Sequence, residues 1–193
     1  MSDNTNNHRR VTRRISIDVR KFVYLAVLTA IVFVLQMFAP MINFFGLSPA
    51  LVLVPLVVGV ALCGTASGAW LGSVFAIVVL TTDPTVAPFY NHNFIATVVL
   101  VLLKSILAGV VAGVIYKLLS RKNKYVAILV AAVAAPVVNT AVFVVGCLLF
   151  FAELTGAWAI LGLFIAPNFI AEVVINVVLV PAIYKIIEVV SKK

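Results

Sequence analysis

Charge is what this chain has least of. Only 10% of its 193 residues are Asp, Glu, Lys or Arg, and 64% are apolar. That composition excludes a soluble globular domain and leaves a polytopic membrane protein. Acids are scarcer than bases, 6 against 14, for a formal net charge of +8. Cysteine occurs twice, as Cys63 and Cys147, within or at the edge of apolar segments and without a CxxC neighbour. Neither a disulfide framework nor a zinc site is indicated, and both thiols read as small buried hydrophobes. Outside the N-terminal tail the one histidine is His92, so the chain has no multi-histidine metal centre, and His92 reads as a loop residue or helix-start partner. No metal, cofactor or catalytic residue is expected.

What is present is a series of apolar segments with basic ends. Arg9, Arg10, Arg13, Arg14, Arg20 and Lys21 form the first basic cluster. Lys117, Arg121, Lys122 and Lys124 form the second, and Lys185, Lys192 and Lys193 the third. Clusters at segment ends follow the positive-inside rule better than they make a nucleic-acid face, so nucleic acid is not an expected partner. Residues 1–18 lack the short apolar core and cleavage site of a signal peptide. They read as a disordered or surface-lying basic tail, residues 1–19, ahead of a single membrane domain, 20–193.

Six spans are expected. The first runs over 21–39 and stops at Pro40; Ala26 and Ala30, four apart, give it a small-residue face that lets another helix approach closely. After a loop at 40–47, Ser48-Pro49 resembles a helix start for a short second span, 49–62, which Pro55 is expected to bend. A tight link, 63–68, leads into the third span, which ends near Thr81. Gly64, Gly68 and Gly72 recur every four residues as a close-packing face; no lysine follows and no strand precedes them, so a phosphate loop is rejected. A Pro-rich loop at 82–92 precedes the fourth span, 93–116, whose lower part carries the small residues Ala108, Gly109, Ala112 and Gly113. The fifth span, 125–151, contains Pro136. The sixth runs from Pro167 to near Val190, after a loop at 152–164. With six spans, all three basic clusters fall on one side. The fold class is therefore an all-α integral membrane protein, a six-transmembrane-helix bundle with both termini cytoplasmic.

The fourth span holds a single lysine, Lys104, near its middle. A charge at that depth costs roughly 3 kcal/mol unless it faces protein or water. Asn93 and Thr97 share its helical face. Asn139 and Thr140 sit at similar depth in the fifth span. In the sixth, Asn168, Glu172 and Asn176 are spaced i, i+4, i+8 and line one stripe. Counted from the outer ends, Lys104 lies about 17 Å down and Asn176 about 14 Å. Above them the outer loops supply Asn43, Tyr90 and Trp158. The lower halves of these helices are almost wholly apolar or small, which describes a cup open to the outside rather than a channel. Two readings of the polar set stay open. Lys104 and Glu172 pair, and the asparagines satisfy them and hold the bundle together; or these groups face a small polar solute, with Lys104 offering a cation to an anionic group.

At this point the chain resembles the substrate-binding S component of an energy-coupling factor (ECF) vitamin transporter. The likeness rests on size, six spans, the alanine pair and the cup. Two local stretches strengthen it: Lys104-Ser-Ile-Leu-Ala-Gly-Val-Val-Ala-Gly-Val-Ile-Tyr116, and Ala135-Pro-Val-Val-Asn-Thr140 leading into Phe143 and Gly146. It covers about residues 20–190. It implies a protein of the bacterial cell membrane that binds a water-soluble vitamin from outside and docks on a membrane coupling protein driven by two cytoplasmic ATPases. Ala26 and Ala30 match the alanine pair that contacts the coupling protein. The two stretches look most like the pantothenate-type branch, and Lys104 suits a carboxylate. Folate, riboflavin and pyridoxine- or hydroxymethylpyrimidine-like compounds stay open, and a thiamine-type cation ranks lower. Among other classes, a self-sufficient proton-coupled transporter would use Lys104 and Glu172 as a titrating pair, but no inverted repeat is visible. An intramembrane enzyme lacks a nucleophile–base or metal set. A purely structural membrane protein has no need of a buried lysine.

Overall fold

The computed structural model describes the backbone of residues 3–41, 50–155 and 158–191, with side chains described for 19–39, 41, 50–153 and 167–190. Among the described residues all regular structure is helical: α1 (Asp3–Phe38), α2 (Leu53–Cys63), α3 (Thr65–Thr82), α4 (Ala87–His92), α5 (Phe94–Leu119), α6 (Lys124–Phe150), α7 (Ala152–Thr155) and α8 (Trp158–Ser191). Five stretches are long and apolar enough to cross a bilayer: Val19–Phe38, Thr65–Thr82, Phe94–Leu119, Lys124–Phe150 and Pro167–Val190. The protein is thus an all-α, multi-pass membrane protein.

The second expected span differs. Its helix, α2, has 11 residues, about 16 Å at 1.5 Å per residue, well short of a core of about 30 Å. Ser48 and Pro49, the expected helix start, lie outside the described residues. The turn at 50–52 leads in instead, with the Leu53 N–H donating to the Ala50 carbonyl at 3.1 Å. Pro55 falls in the first turn of α2, where a backbone N–H has no intrahelical acceptor, so it costs the helix nothing and does not bend it. What α2 lacks in length it has in burial: Leu53 and residues 55–60 are all buried, and the helix packs against α1, α3, α5, α6 and α8. It is the hub of the bundle, a fully apolar helix surrounded by protein.

Other ends shift for local reasons. The backbone of α1 is helical from Asp3, where a disordered or surface-lying tail is expected; residues 3–38 contain no glycine or proline to break it. The expected six-residue link at 63–68 shrinks to Gly64, whose φ of +97° is open to glycine at little cost. The loop at 82–92 folds into a 3-10 turn, Pro84–Val86, and α4. The Asp83 carboxylate starts that turn by accepting from the Thr85 N–H at 2.9 Å and the Thr85 hydroxyl at 2.7 Å. Asn93 caps α5 by accepting from the Ala96 N–H at 3.0 Å, and Asn123 caps α6 through the Tyr125 and Val126 N–H groups. Helix α8 begins at Trp158, nine residues before Pro167, and carries both Pro167 and Pro181 within it.

The two small-residue faces meet. A Cβ on Gly68 would collide with the Gly109 backbone carbonyl, and one on Gly109 with that of Gly68. One turn along, Gly72 faces the Ser105 carbonyl, and at the other end Gly113 faces Thr65. Helices α3 and α5 are therefore in backbone contact, as small-residue motifs allow in membranes where dispersion drives helix association. Gly64 is not part of this seam; it makes the turn before it.

Candidate functional site

Beyond the outer end of that seam, where Phe75 and Val79 of α3 and Thr97 and Val101 of α5 continue the same two faces, α1, α3, α5, α6 and α8 line a cavity of about 80 Å³. Of the site residues expected from sequence, six line it: Thr97, Lys104, Asn139, Thr140, Asn168 and Glu172. Lys104 and Asn139 come from facing positions of α5 and α6, while Asn168 and Glu172 come from one stripe of α8, as the i, i+4 spacing requires.

Lys104 and Glu172 do not form the expected close pair. Among the described residues they make no ion pair within 4.0 Å, although they share the cavity and interact electrostatically. The ammonium lies over the Phe143 ring, 4.7 Å from its centroid, a cation–π contact. The Glu172 carboxylate is occupied elsewhere. Its Oε1 accepts from the Ala50 backbone N–H at 2.9 Å and from Asn168 Nδ2 at 3.3 Å. That bond ties α8 to the turn entering α2. The reason is local: the Ala50 N–H precedes a helix start and needs an acceptor.

Three of the expected residues, Asn93, Tyr90 and Asn176, are described and do not line the cavity. Asn93 is exposed and serves as the α5 cap. The Tyr90 hydroxyl donates to the Leu80 carbonyl at 2.7 Å, its ring stacks on Phe94 at 5.3 Å, and burial raises its phenol pKa above the ordinary value. Asn176 is 1% exposed but points down its own helix, donating to the Glu172 backbone carbonyl at 2.8 Å. Asn43 and the Trp158 side chain lie outside the described residues. Ala26 and Ala30 are both exposed on α1.

The structure adds residues that the sequence reading passed over. Gln36, on α1, is 2% exposed and lines the cavity. Asp83 and Thr85 border it, and so do three aromatic rings. Phe89 meets Phe143 edge-on at 5.8 Å and Phe151 at 5.1 Å. Gln36 carried a signal, a polar side chain in an apolar span. Phe143 also carried one, since it follows Asn139 by four and shares its face.

Four polar atoms of this cavity are left unsatisfied: among the described residues, Gln36 Oε1, Asn139 Oδ1, Asn168 Oδ1 and Glu172 Oε2 are buried without a hydrogen-bond partner, as are Ser105 Oγ and Asn176 Oδ1 outside its lining. An unpaired buried acceptor costs about 1–3 kcal/mol. Four around one cavity, beside a cation, mark a site that is completed by something else. A second depression, on the outer surface of α5 and α6, is of another kind. It measures about 330 Å³ and is lined by apolar residues including Val99, Leu103, Val145 and Leu149. Leu100 borders both.

A multi-pass helical protein with a polar cavity lined by its spans has the groups to hold a small polar solute. Comparison with known proteins specifies the class further. The family model for the ECF transporter substrate-specific component matches residues 20–184. The chain is 30% identical over 178 residues to the pantothenic acid transporter PanT of Lactococcus lactis subsp. cremoris (strain MG1363), covering 82% of this chain and 89% of that protein. No solved structure matches. The chain belongs to the ECF transporter substrate-specific component family, the family its Lys104–Tyr116 and Ala135–Thr140 stretches resemble, and is a transport protein of the vitamin-binding S-component class.

Proposed function

We propose that this protein is the S component of an ECF-type importer in a bacterial cell membrane, that it binds pantothenate from outside, and that partner ATPases drive delivery through a membrane coupling protein. The observation that carries the substrate is the cavity: one cation, Lys104, beside four buried acceptor oxygens without donors. Pantothenate brings a carboxylate for the cation, and two hydroxyls and an amide N–H for the acceptors. The pantothenate transporter relative points the same way. Thr97, Lys104, Asn139, Thr140, Asn168 and Glu172 form the binding set, with Asn43 and Trp158 as further contacts; Tyr90, Asn93 and Asn176 act in packing, capping and support.

The cavity is well below the roughly 300 Å³ of a site for a drug-sized ligand. The described walls hold one end of the vitamin, and binding widens them. A six-span topology with both termini cytoplasmic follows if α2 crosses as a short, protein-enclosed span. The exposed Ala26–Ala30 face of α1 is the docking surface for the coupling protein.

The test is thermal unfolding of the purified protein with a vitamin panel, since a ligand that binds the folded state raises apparent stability. Pantothenate is expected to raise the melting temperature, with riboflavin, folate and pyridoxine inert. A shift with one of those and none with pantothenate sinks the substrate assignment. Uptake that proceeds on a proton gradient without ATP or partner subunits sinks the ECF coupling.

A further inference from the structure

The geometry points to Gln36 as a specificity-determining ligand contact on α1: its Oε1 accepts a hydrogen bond from a hydroxyl of the bound solute. This deepens the proposed function and rests on it for the identity of the solute.

Gln36 lies in the first apolar span, among residues that otherwise face lipid or the core: Phe33, Val34, Met37 and Phe38 are exposed, and Val32 is buried. A polar side chain there has three ways to be satisfied: lipid headgroups, a protein partner or a ligand. Gln36 is 2% exposed, which removes the first. Among the described residues its Oε1 has no hydrogen-bond partner, which removes the second for that atom. It lines the cavity shared by Lys104 and Asn139, which supplies the third. A leucine or methionine would fill the same volume without the cost of a buried amide, so the amide weakens the empty protein and repays that only when a donor arrives. A buried acceptor of this kind discriminates strongly against an analogue that lacks the matching donor, because it stays unpaired with the wrong ligand.

The placement also joins two functions on one helix. Gln36 is six residues, about 9 Å, from Ala30 on the exposed docking face. A solute held by Gln36 therefore pulls directly on the element that meets the coupling protein.

The experiment compares the full-length purified protein with Gln36→Met and Gln36→Asn. Pantothenate affinity is measured by titration calorimetry, and ligand-free melting is measured alongside. Gln36→Met should bind pantothenate about 10- to 100-fold more weakly, the equivalent of one lost buried hydrogen bond. Gln36→Asn should fall between it and the native protein. Against one of the two mono-deoxy analogues of pantothenate, Gln36→Met and the native protein should bind alike, since the donor is already gone. Ligand-free Gln36→Met should melt at or above the native temperature, because an orphaned amide has been removed. Undiminished pantothenate binding by Gln36→Met overturns the inference, and so does an equal loss for pantothenate and both deoxy analogues. A lower ligand-free melting temperature, or failure of both variants to fold, also overturns it by making Gln36 a structural residue. Absence of pantothenate binding to the native protein sinks the substrate assignment instead, and the ligand-free melting comparison still decides whether Gln36 is held ready for a ligand.

Discussion

The α3–α5 seam and the cavity beyond its outer end are assembled by opposite rules. At the seam, side chains are reduced to nothing: Gly68 meets Gly109 and Gly72 meets Ser105, backbone on backbone, with no room for a Cβ. At the cavity, side chains are long and polar, and four acceptor atoms have nothing to bond. The seam leaves no space and, among the described residues, buries one unpartnered polar atom, Ser105 Oγ; the cavity leaves space and has four such atoms around it. In a membrane, where hydrocarbon is as apolar as leucine, close backbone packing is what holds helices together. The seam can therefore carry the fold while the cavity stays incomplete. Packing and cavity are divided along the length of α5, with Ser105, Gly109 and Gly113 at the seam and Thr97, Val101 and Lys104 lining the cavity above it.

The largest expected effect belongs to the seam. Gly109→Leu inserts a side chain where the Gly68 carbonyl already sits, and neither backbone can yield without separating the helices. Overpacking of this kind costs about 1–3 kcal/mol or more in a well-packed core. The variant should give little folded protein, read as loss of the monodisperse peak in detergent size exclusion. If it folds and binds like the native protein, the seam is not what carries the fold. Next comes Lys104→Ala, which should leave the fold intact and weaken pantothenate binding by on the order of 100-fold, the loss of a charge-assisted contact. Normal binding with only a lower melting temperature would instead make Lys104 a second structural element. The smallest effect on binding, none, is expected for Ala26→Leu with Ala30→Leu, two exposed positions remote from the cavity lining. Uptake in cells carrying the coupling module should nonetheless stop. Loss of binding and uptake together would show that the alanines only pack.

The seam was the more legible half. Glycines and alanines at steps of four announce close approach whatever lies opposite, and α3 and α5 each carry such a face. The positions of five long spans were equally legible, because apolar length is read directly. Length misled at α2, where burial within protein removes the need to match the bilayer. The cavity was legible in part. Lys104, Asn139 and Glu172 stand out because ionisable and amide groups are costly in apolar runs. Their partners were not readable. Pairing of Glu172 with Lys104 was one of two readings; Glu172 instead answers the Ala50 N–H, a backbone donor that no side-chain pattern reveals. Asn93 lies on the face of Lys104 and was drawn into the site by periodicity, yet a helix start claims an asparagine first. Gln36 was passed over because a single amide in α1 has no neighbour of its kind along the chain.

Leu100 is the thinnest part of this molecule. One face of it belongs to the polar cavity and the other to the apolar groove on the lipid side, and Gly146 presses against its methyl groups. A single aliphatic side chain is thus the insulation between a charged interior and a hydrocarbon exterior. It works because wetting, and not thickness, keeps the two apart: an acyl chain gains nothing by entering among unsatisfied carbonyls, and a charged solute gains nothing by leaving them.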